Sequence, residues 1–200
     1  MSLIHSDNRS ALFPLNTVLF PGCSLPLQIF EQRYLRLIKS CIQDNHGFVV
    51  ILISAGKEVG DTPETYSIGT YVDIVDWEML ENGLFGITIE ARHRVRVTNP
   101  SAQDDGLMTG AIETLPVSTN EESDLIFRIP DLIDTLKQLE QHPYIEQQAM
   151  EIDYSSTQDV CHKLSALLPL DPLVKQSLLE INNTEDKIER LREIIQHVRY

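Results

Sequence analysis

Few residues in this chain stand at spacings that support bond-making chemistry, and each candidate misses a requirement. Ser54-Ala55-Gly56-Lys57 matches S-x-x-K, in which a lysine one helical turn away activates a serine nucleophile. Gly56 follows a strand-like run where that motif needs a helix, and no S-D-N or K-T-G element accompanies it. Gly56-Lys57 is also a fragment of a phosphate loop, but Ile51 stands where glycine is needed and Glu58 where Ser or Thr would bind magnesium. No histidine forms H-E-x-x-H, and Cys161 and His162 are neighbours that point apart on a helix. Cys23, Cys41 and Cys161 are widely separated and odd in number, so they read as reduced, buried thiols and not as a disulfide or zinc set. Asn182-Asn183-Thr184 fits the glycosylation sequon, but nothing in the sequence routes the chain to a secretory compartment. The expectation is a non-enzymatic protein with no catalytic residue, no metal and no cofactor.

Binding chemistry has one local signal. Arg92, Arg94 and Arg96 alternate along a strand and so project from one face, a stripe able to grip a carboxylate, a peptide terminus or RNA. The competing reading pairs the stripe across strands with Asp73 and stacks it on Tyr71. His93 falls on the apolar face as a core or rim histidine. A net charge of -14 and a pI near 4.7 oppose phosphate-rich partners, so nucleic acid is not expected. Asp7, Asn8, Pro14 and Asn16 interrupt any signal-peptide core, and residues 48–53, the longest clean apolar run, fall far short of the roughly 20 residues that span a bilayer. A cytoplasmic protein with no membrane partner is expected.

The elements that must position these residues read as strands first and helices afterwards, an α+β order. Residues 11–15 and 24–29 are short apolar segments punctuated by Pro14, Pro21 and Pro26, which suit edges and turns. Tyr34, Leu35, Ile38 and Ile42 predict a helix over 31–43. Residues 48–53 predict a buried strand, and the acidic, Gly-containing stretch 54–67 predicts a functional or mobile loop anchored only by Val59 and Tyr66. Residues 69–77 and 84–97 flank Asn82-Gly83, a strong hairpin signal. A two-residue turn there sets Asp73 opposite Arg92 and Tyr71 opposite Arg94. It also sets Asp76 and Glu78 against Ile89 and Ile87, a conflict that predicts a bulge or a longer turn near the tip. With a last strand over 107–115, about six strands around one helix favour a small closed or half-closed barrel.

From a boundary near 116–120 the chain reads as a bundle of about four helices. Two consecutive helices are expected about Pro130. Ser156 with Asp159 forms a capping box, Asp171-Pro172 marks a second helix start, and Thr184 precedes a stripe of Ile188, Leu191, Ile194, Ile195 and Val198. Domains of 1–117 and 118–200 result.

Leu25-Pro26-Leu27-Gln28-Ile29-Phe30-Glu31-Gln32-Arg33-Tyr34, preceded by Phe13-Pro14-Leu15 and Leu19-Phe20-Pro21-Gly22, closely resembles the opening of the Lon protease amino-terminal domain. Further matches keep the same order: Ile68-Gly69-Thr70, Arg94-Val95-Arg96-Val97, and Leu168-Pro169-Leu170 ahead of Lys175 to Glu180. The resemblance implies a PUA-like β-barrel followed by a helical bundle. It also implies recognition of unfolded or exposed polypeptide segments, with a protease or chaperone as a further partner. In Lon this domain precedes an ATPase and a Ser-Lys peptidase. Neither is seen here, so a free-standing, non-catalytic recognition domain is expected. The family also appears in a ubiquitin-ligase substrate receptor, whose added zinc-binding domain has no cysteine set in this sequence. Within the motif, Pro26, Phe30, Tyr34 and Gly69 are implied fold determinants, and Glu31, Arg33 and Arg94 ion-pair partners. Candidate binding residues are Tyr71, Arg92, Arg96, Val59 and Tyr66, with exposed apolar side chains beside the 54–67 loop and the groove between the two parts. A PUA-like small-ligand or RNA binder, and a homo-oligomeric scaffold, are the alternatives.

Overall fold

The structure, a computed structural model, describes residues 9–60, 62–81, 84–116, 125–142, 145 and 150–198. The chain divides into two compact units, Met1–Leu19 with Ser24–Leu115, and Phe20–Cys23 with Pro116–Tyr200. The Asn82-Gly83 turn, most of the expected domain boundary and the side chain of Val198 lie outside the described residues.

In the first unit the elements are β1 (Arg9–Leu15), β2 (Ser24–Ile29), α1 (Gln32–Asp44), β3 (Phe48–Ala55), β4 (Glu64–Met79), β5 (Phe85–Ala102) and β6 (Met108–Thr114). The sheet runs β2-β5-β4-β3-β1-β6, and β6 also pairs with β5, so the pairing returns on itself. Among the described residues only β1 and β3 pair in parallel; the other pairs are antiparallel. β3 is buried from Phe48 through Ile53, which is why its sequence is continuously apolar instead of alternating. Proline placement follows hydrogen-bond supply. β2 pairs only with β5, and β1 meets β6 only over Arg9–Leu12, so Pro14 lies beyond that ladder.

α1 buries Arg33, Tyr34, Leu37, Ile38 and Cys41. The face is rotated from the predicted stripe, leaving Ile42 exposed and Leu35 half-buried. Phe13 packs against the buried face, its ring stacking on Tyr34 at 4.1 Å and lying 5.7 Å from that of Phe48. The helix stops at Asn45 in the left-handed region, a C-cap that asparagine tolerates.

The hairpin register differs from the sequence reading by one residue at Tyr71 and by two at Asp73. Tyr71 faces His93, not Arg94, and Asp73 faces Glu90, not Arg92. This register sets Val72 against Ala91 and Ile74 against Ile89, apolar on apolar. The conflict near Asp76 is resolved by irregularities at two places. Arg92 is extra on β5 between Tyr71 and Val72, and Val75 is extra on β4 between Ile74 and Asp76. β4 also begins at Glu64, so the expected 54–67 loop narrows to the stretch between Ala55 and Glu64.

The sheet core gathers Leu12, Val49, Ile51, Val95, Val97 and Met108. Gly69 sits where β4 crosses β3, and a Cβ there would come within 2.5 Å of the Val50 carbonyl oxygen.

The second unit holds a 3-10 turn (Ile126–Arg128), α2 (Pro130–Glu140), α3 (Thr157–Leu167), α4 (Pro172–Glu180) and α5 (Thr184–Val198). Just before Pro130 the described residues form a 3-10 turn, and residues 117–124, where the first of the two expected helices would lie, fall outside the described residues. Pro130 opens α2 because its missing N–H is one the helix start leaves unpaired anyway. Ser156 accepts from Asp159 N, but the Asp159 carboxylate turns to Asp153 N, so only half the expected box forms. Asp171 caps α4. Asn183, not Thr184, caps α5 by accepting from Glu185 N and Asp186 N. Leu132, Leu136, Val160, Leu164, Leu178, Leu179, Ile188 and Leu191 are buried. Phe20–Cys23 belongs here: Phe20 is fully buried with its ring 6.2 Å from that of His162, and Lys163 Nζ donates to the Gly22 carbonyl. Arg192 joins α5 to α2, donating to both Asp131 oxygens at 2.8 and 2.9 Å and to the Arg128 carbonyl at 2.6 Å.

Gly69→Ala is expected to cost about 1–3 kcal/mol by overpacking β3 against β4, read from the midpoint of urea unfolding. The second prediction concerns Asp131, held below the usual aspartate range first by its hydrogen bond from Arg192. A folded pKa below the unfolded one contributes stability above the ordinary aspartate pKa and loses it as pH falls through the folded value. With the carboxylate 52% exposed, solvent screening keeps this below about 1 kcal/mol. Asp131→Asn should therefore be slightly less stable than the parent at neutral pH and converge with it in acid.

Candidate functional site

Placing the sequence-derived candidates on this frame separates them. Arg92, the bulged residue, is fixed by Asp73 and Glu90, each at 2.7 Å. Arg94 is 6% exposed, faces Thr70 and sits in the strand whose Arg94 carbonyl receives Leu115 N. Arg96 is exposed opposite Ile68 and Glu113. The three therefore do not form one exposed stripe, because the bulge at Arg92 breaks the alternation and Arg94 is drawn into the interior. Tyr71 is engaged as well, its hydroxyl accepting from Gly47 N at 2.8 Å and its ring stacking on His93 at 5.2 Å. Burial lowers the His93 pKa, with Asp73 opposing. Val59 is exposed on the loop and Tyr66 is half-buried on β4.

The motif residues lie mostly in the framework. Glu31 is the N-cap residue of α1, with Oε2 2.9 Å from Nη2 of the buried Arg33, whose guanidinium lies 4.8 Å over the Tyr34 ring. Phe30 departs from the expected packing role. It follows the last β2 residue and is 54% exposed. Ser54 is the penultimate residue of β3 and Lys57 is an exposed loop residue, so S-x-x-K is not on a helix. Among the described residues no group of three His, Cys, Asp or Glu is placed to hold a metal.

A feature that the sequence reading missed lies at the end of the β4–β5 hairpin. Val75, Trp77 and Met79 are 47, 55 and 68% exposed. Trp77 stacks on Phe85 at 5.7 Å, which holds the indole in place. Beside them is a cleft of about 220 Å³ lined by Pro26, Leu27 and Gln28 of β2, Asp76, Trp77 and Glu78 of β4, Leu80, and Gly86, Ile87 and Thr88 of β5. The arrangement joins an apolar ledge to two carboxylates and to a strand, β2, with one side unpaired among the described residues. It has binding chemistry: an apolar surface for a side chain and acidic groups for a cation. The available signal was the alternation Val75-Asp76-Trp77-Glu78-Met79, apolar and acidic by turns past the end of the buried face.

The sequence model of the ATP-dependent protease La (LON) substrate-binding domain matches residues 10–197. The chain belongs to the Lon substrate-binding domain family. Its relatives include Lon protease 1 of Bdellovibrio bacteriovorus, 25% identical over 92% of this chain and 24% of that protein. Lon protease of Orientia tsutsugamushi is 27% identical over 93% of this chain and 24% of its own length. Cereblon of Gallus gallus matches at 27% identity over 56% of this chain and 26% of its length. The chain thus spans about a quarter of the length of these relatives. Among solved structures, a Lon N-terminal domain protein from Xanthomonas campestris superposes with a TM-score of 0.72 at 26% identity, covering 92% of this chain and 97% of that one. The N-terminal domain of Mycobacterium avium complex Lon protease shares the fold, with a TM-score of 0.64 at 12% identity over 92% of this chain and 96% of that one. The family assignment carries a substrate-recognition role and a connection to proteolysis.

The cysteines of this Lon-family chain are buried thiols. Burial pushes Cys23 up to about 11 and Cys41 up to about 12. Thiolate is then scarce at neutral pH, so Cys23 and Cys41 should resist iodoacetamide in the native protein and react in urea, as mass spectrometry would show. Rapid native labelling of either would contradict their burial.

Proposed function

We propose that this chain is a non-catalytic recognition domain that binds unfolded or exposed polypeptide segments, with the hairpin-end cleft as its contact surface. The supporting observation is the ledge of Val75, Trp77 and Met79, three large apolar side chains left in solvent, of which Trp77 lines the cleft. An unfolded chain offers apolar side chains that a folded one buries, so this ledge discriminates between the two. Pro26 removes a donor from the middle of β2, so recognition rests on side chains more than on an added strand. In this reading the first part, residues 1–117, is a PUA-like barrel and residues 118–200 are a helical bundle. The domain works in the cytoplasm beside a protease or chaperone that acts on what it binds.

The RNA or small-ligand reading through Arg92, Arg94 and Arg96 is weakened by the ion pairs of Arg92 and the burial of Arg94. The net charge of -14 opposes it further.

The test is fluorescence anisotropy of a labelled, permanently unfolded polypeptide at physiological salt, with its folded counterpart as control. Saturable binding of the unfolded form alone is expected. Trp77→Ala with Met79→Ala should weaken it about tenfold or more, the equivalent of one exposed apolar contact. Binding that vanishes at physiological ionic strength, or that survives the double substitution unchanged, would overturn the assignment.

A further inference from the structure

β3 accompanies β4 only as far as Val72, opposite Phe48, while β5 continues along its other side to Met79. Among the described residues no strand lies along the outer edge of β4 from Asp73 to Met79, and residues 75–79 are exposed. A strand edge is a row of N–H and C=O groups that water or another backbone must satisfy. The phase of the ladder says which of them face outward. Leu80 N donates to the Leu84 carbonyl at 2.9 Å, and hydrogen-bonded pairs alternate along an antiparallel ladder. Glu78–Gly86 and Asp76–Thr88 are then the bonded pairs, and Trp77 and Met79 direct their N–H and C=O groups away from β5. Trp77 N–H donates to Oδ1 of its neighbour Asp76 at 2.9 Å, as a donor not taken up by β5 can.

This edge has two chemically different sides. Trp77 and Met79 share a sheet face with Ile87 and Phe85, and Asp76 and Glu78 share the other with Thr88 and Gly86. Pro26 keeps β2 from accepting an added strand in full, which is why side chains carry recognition there, whereas residues 73–79 contain no proline. The carboxylates also decide between occupants. A second copy paired antiparallel about Trp77 would set each Asp76 against the other's Glu78, like charges face to face, in a chain whose net charge is already -14. A strand with Lys or Arg at those two positions meets opposite charges instead, and its alternate residues lie on the ledge.

We propose that the outer edge of β4 from Val75 to Met79 receives the bound polypeptide as an added extended strand, apolar side chains lying along Trp77 and Met79 and Lys or Arg along Asp76 and Glu78. That the partner is a polypeptide rests on the recognition reading above; the added strand specifies how it is held. Backbone hydrogen bonds accept any extended sequence, which unfolded or exposed segments offer and folded interiors do not, and the alternation of apolar and basic residues selects among such segments.

The test uses the full chain and a blocked, labelled peptide of alternating valine and lysine, read by fluorescence anisotropy at physiological salt. Two further versions carry N-methyl groups, one on the valines and one on the lysines, so that each blocks one edge of the extended peptide. One version should lose binding about tenfold or more and the other should bind like the parent. Equal effects of the two, whether none or large, overturn strand addition even where unfolded polypeptide still binds. Exchanging the lysines for glutamates should weaken binding about fivefold or more, and no loss overturns the charge assignment. Met79→Pro removes an outward donor that Met79→Ala keeps, and should weaken binding of the parent peptide about fivefold more. The backbone amide spectrum shows whether each variant is folded, and the N-methyl comparison stands without them. A dimer that Met79→Pro alone disrupts would assign the edge to a second copy and overturn the choice of partner. Binding of unfolded polypeptide without binding of the peptide overturns strand addition alone; binding of neither overturns the recognition reading and strand addition with it.

Discussion

A strand cannot leave its N–H and C=O groups unpaired in an interior, and in this protein β5 carries that constraint for half of the chain. Over 18 residues it pairs with β2, β4 and β6. Serving three neighbours requires the ladder to be re-aimed along its length, and bulges do this. The extra residue at Arg92 lets the apolar positions on either side of it align with β4. The extra residue at Val75 corrects the opposite strand and sets Trp77 against Ile87 and Met79 against Phe85. The hairpin continues past the buried core, so apolar side chains there stay in solvent. The exposed ledge is thus a consequence of how β5 satisfies its backbone.

Charge is distributed on a related principle. The chain has 30 acidic residues and 16 Lys or Arg. Several cations are held by carboxylates: Arg92 by Asp73 and Glu90, Arg36 by Asp105, Arg128 by Glu185, Arg192 by Asp131. At exposed positions such pairs add little stability but restrict where side chains point. Arg33 differs, since it is buried and pairs with Glu31 inside the first unit.

The family relationship concerns a substrate-binding domain, and the matched stretch is about a quarter of each Lon relative named. A TM-score of 0.64 at 12% identity shows that the fold tolerates extensive replacement of its side chains. What such replacement must preserve is close packing of the kind found at Gly69 and the polarity pattern of each element, since both follow from volume and hydrogen-bond supply.

The sequence by itself determined the order of strands and helices, the helix starts at Ser156 and Asp171, the hairpin, and the family, because capping, proline chemistry and apolar periodicity act over a few residues. It also predicted a bulge or a longer turn near the tip of the hairpin, since a regular register set Asp76 and Glu78 against Ile89 and Ile87. Where it broke was decided by tertiary structure, because a one-residue shift depends on which faces are covered by other strands. The same applies to α1, whose buried face includes Arg33 and Leu37 and leaves Ile42 in solvent, and to Arg92, Arg94 and Arg96, whose alternation said nothing of the bulge at Arg92. The hairpin-end cleft was hidden for this reason. The ledge of Trp77 is defined by what does not pack against it, and absence of a neighbour is a property of three-dimensional arrangement.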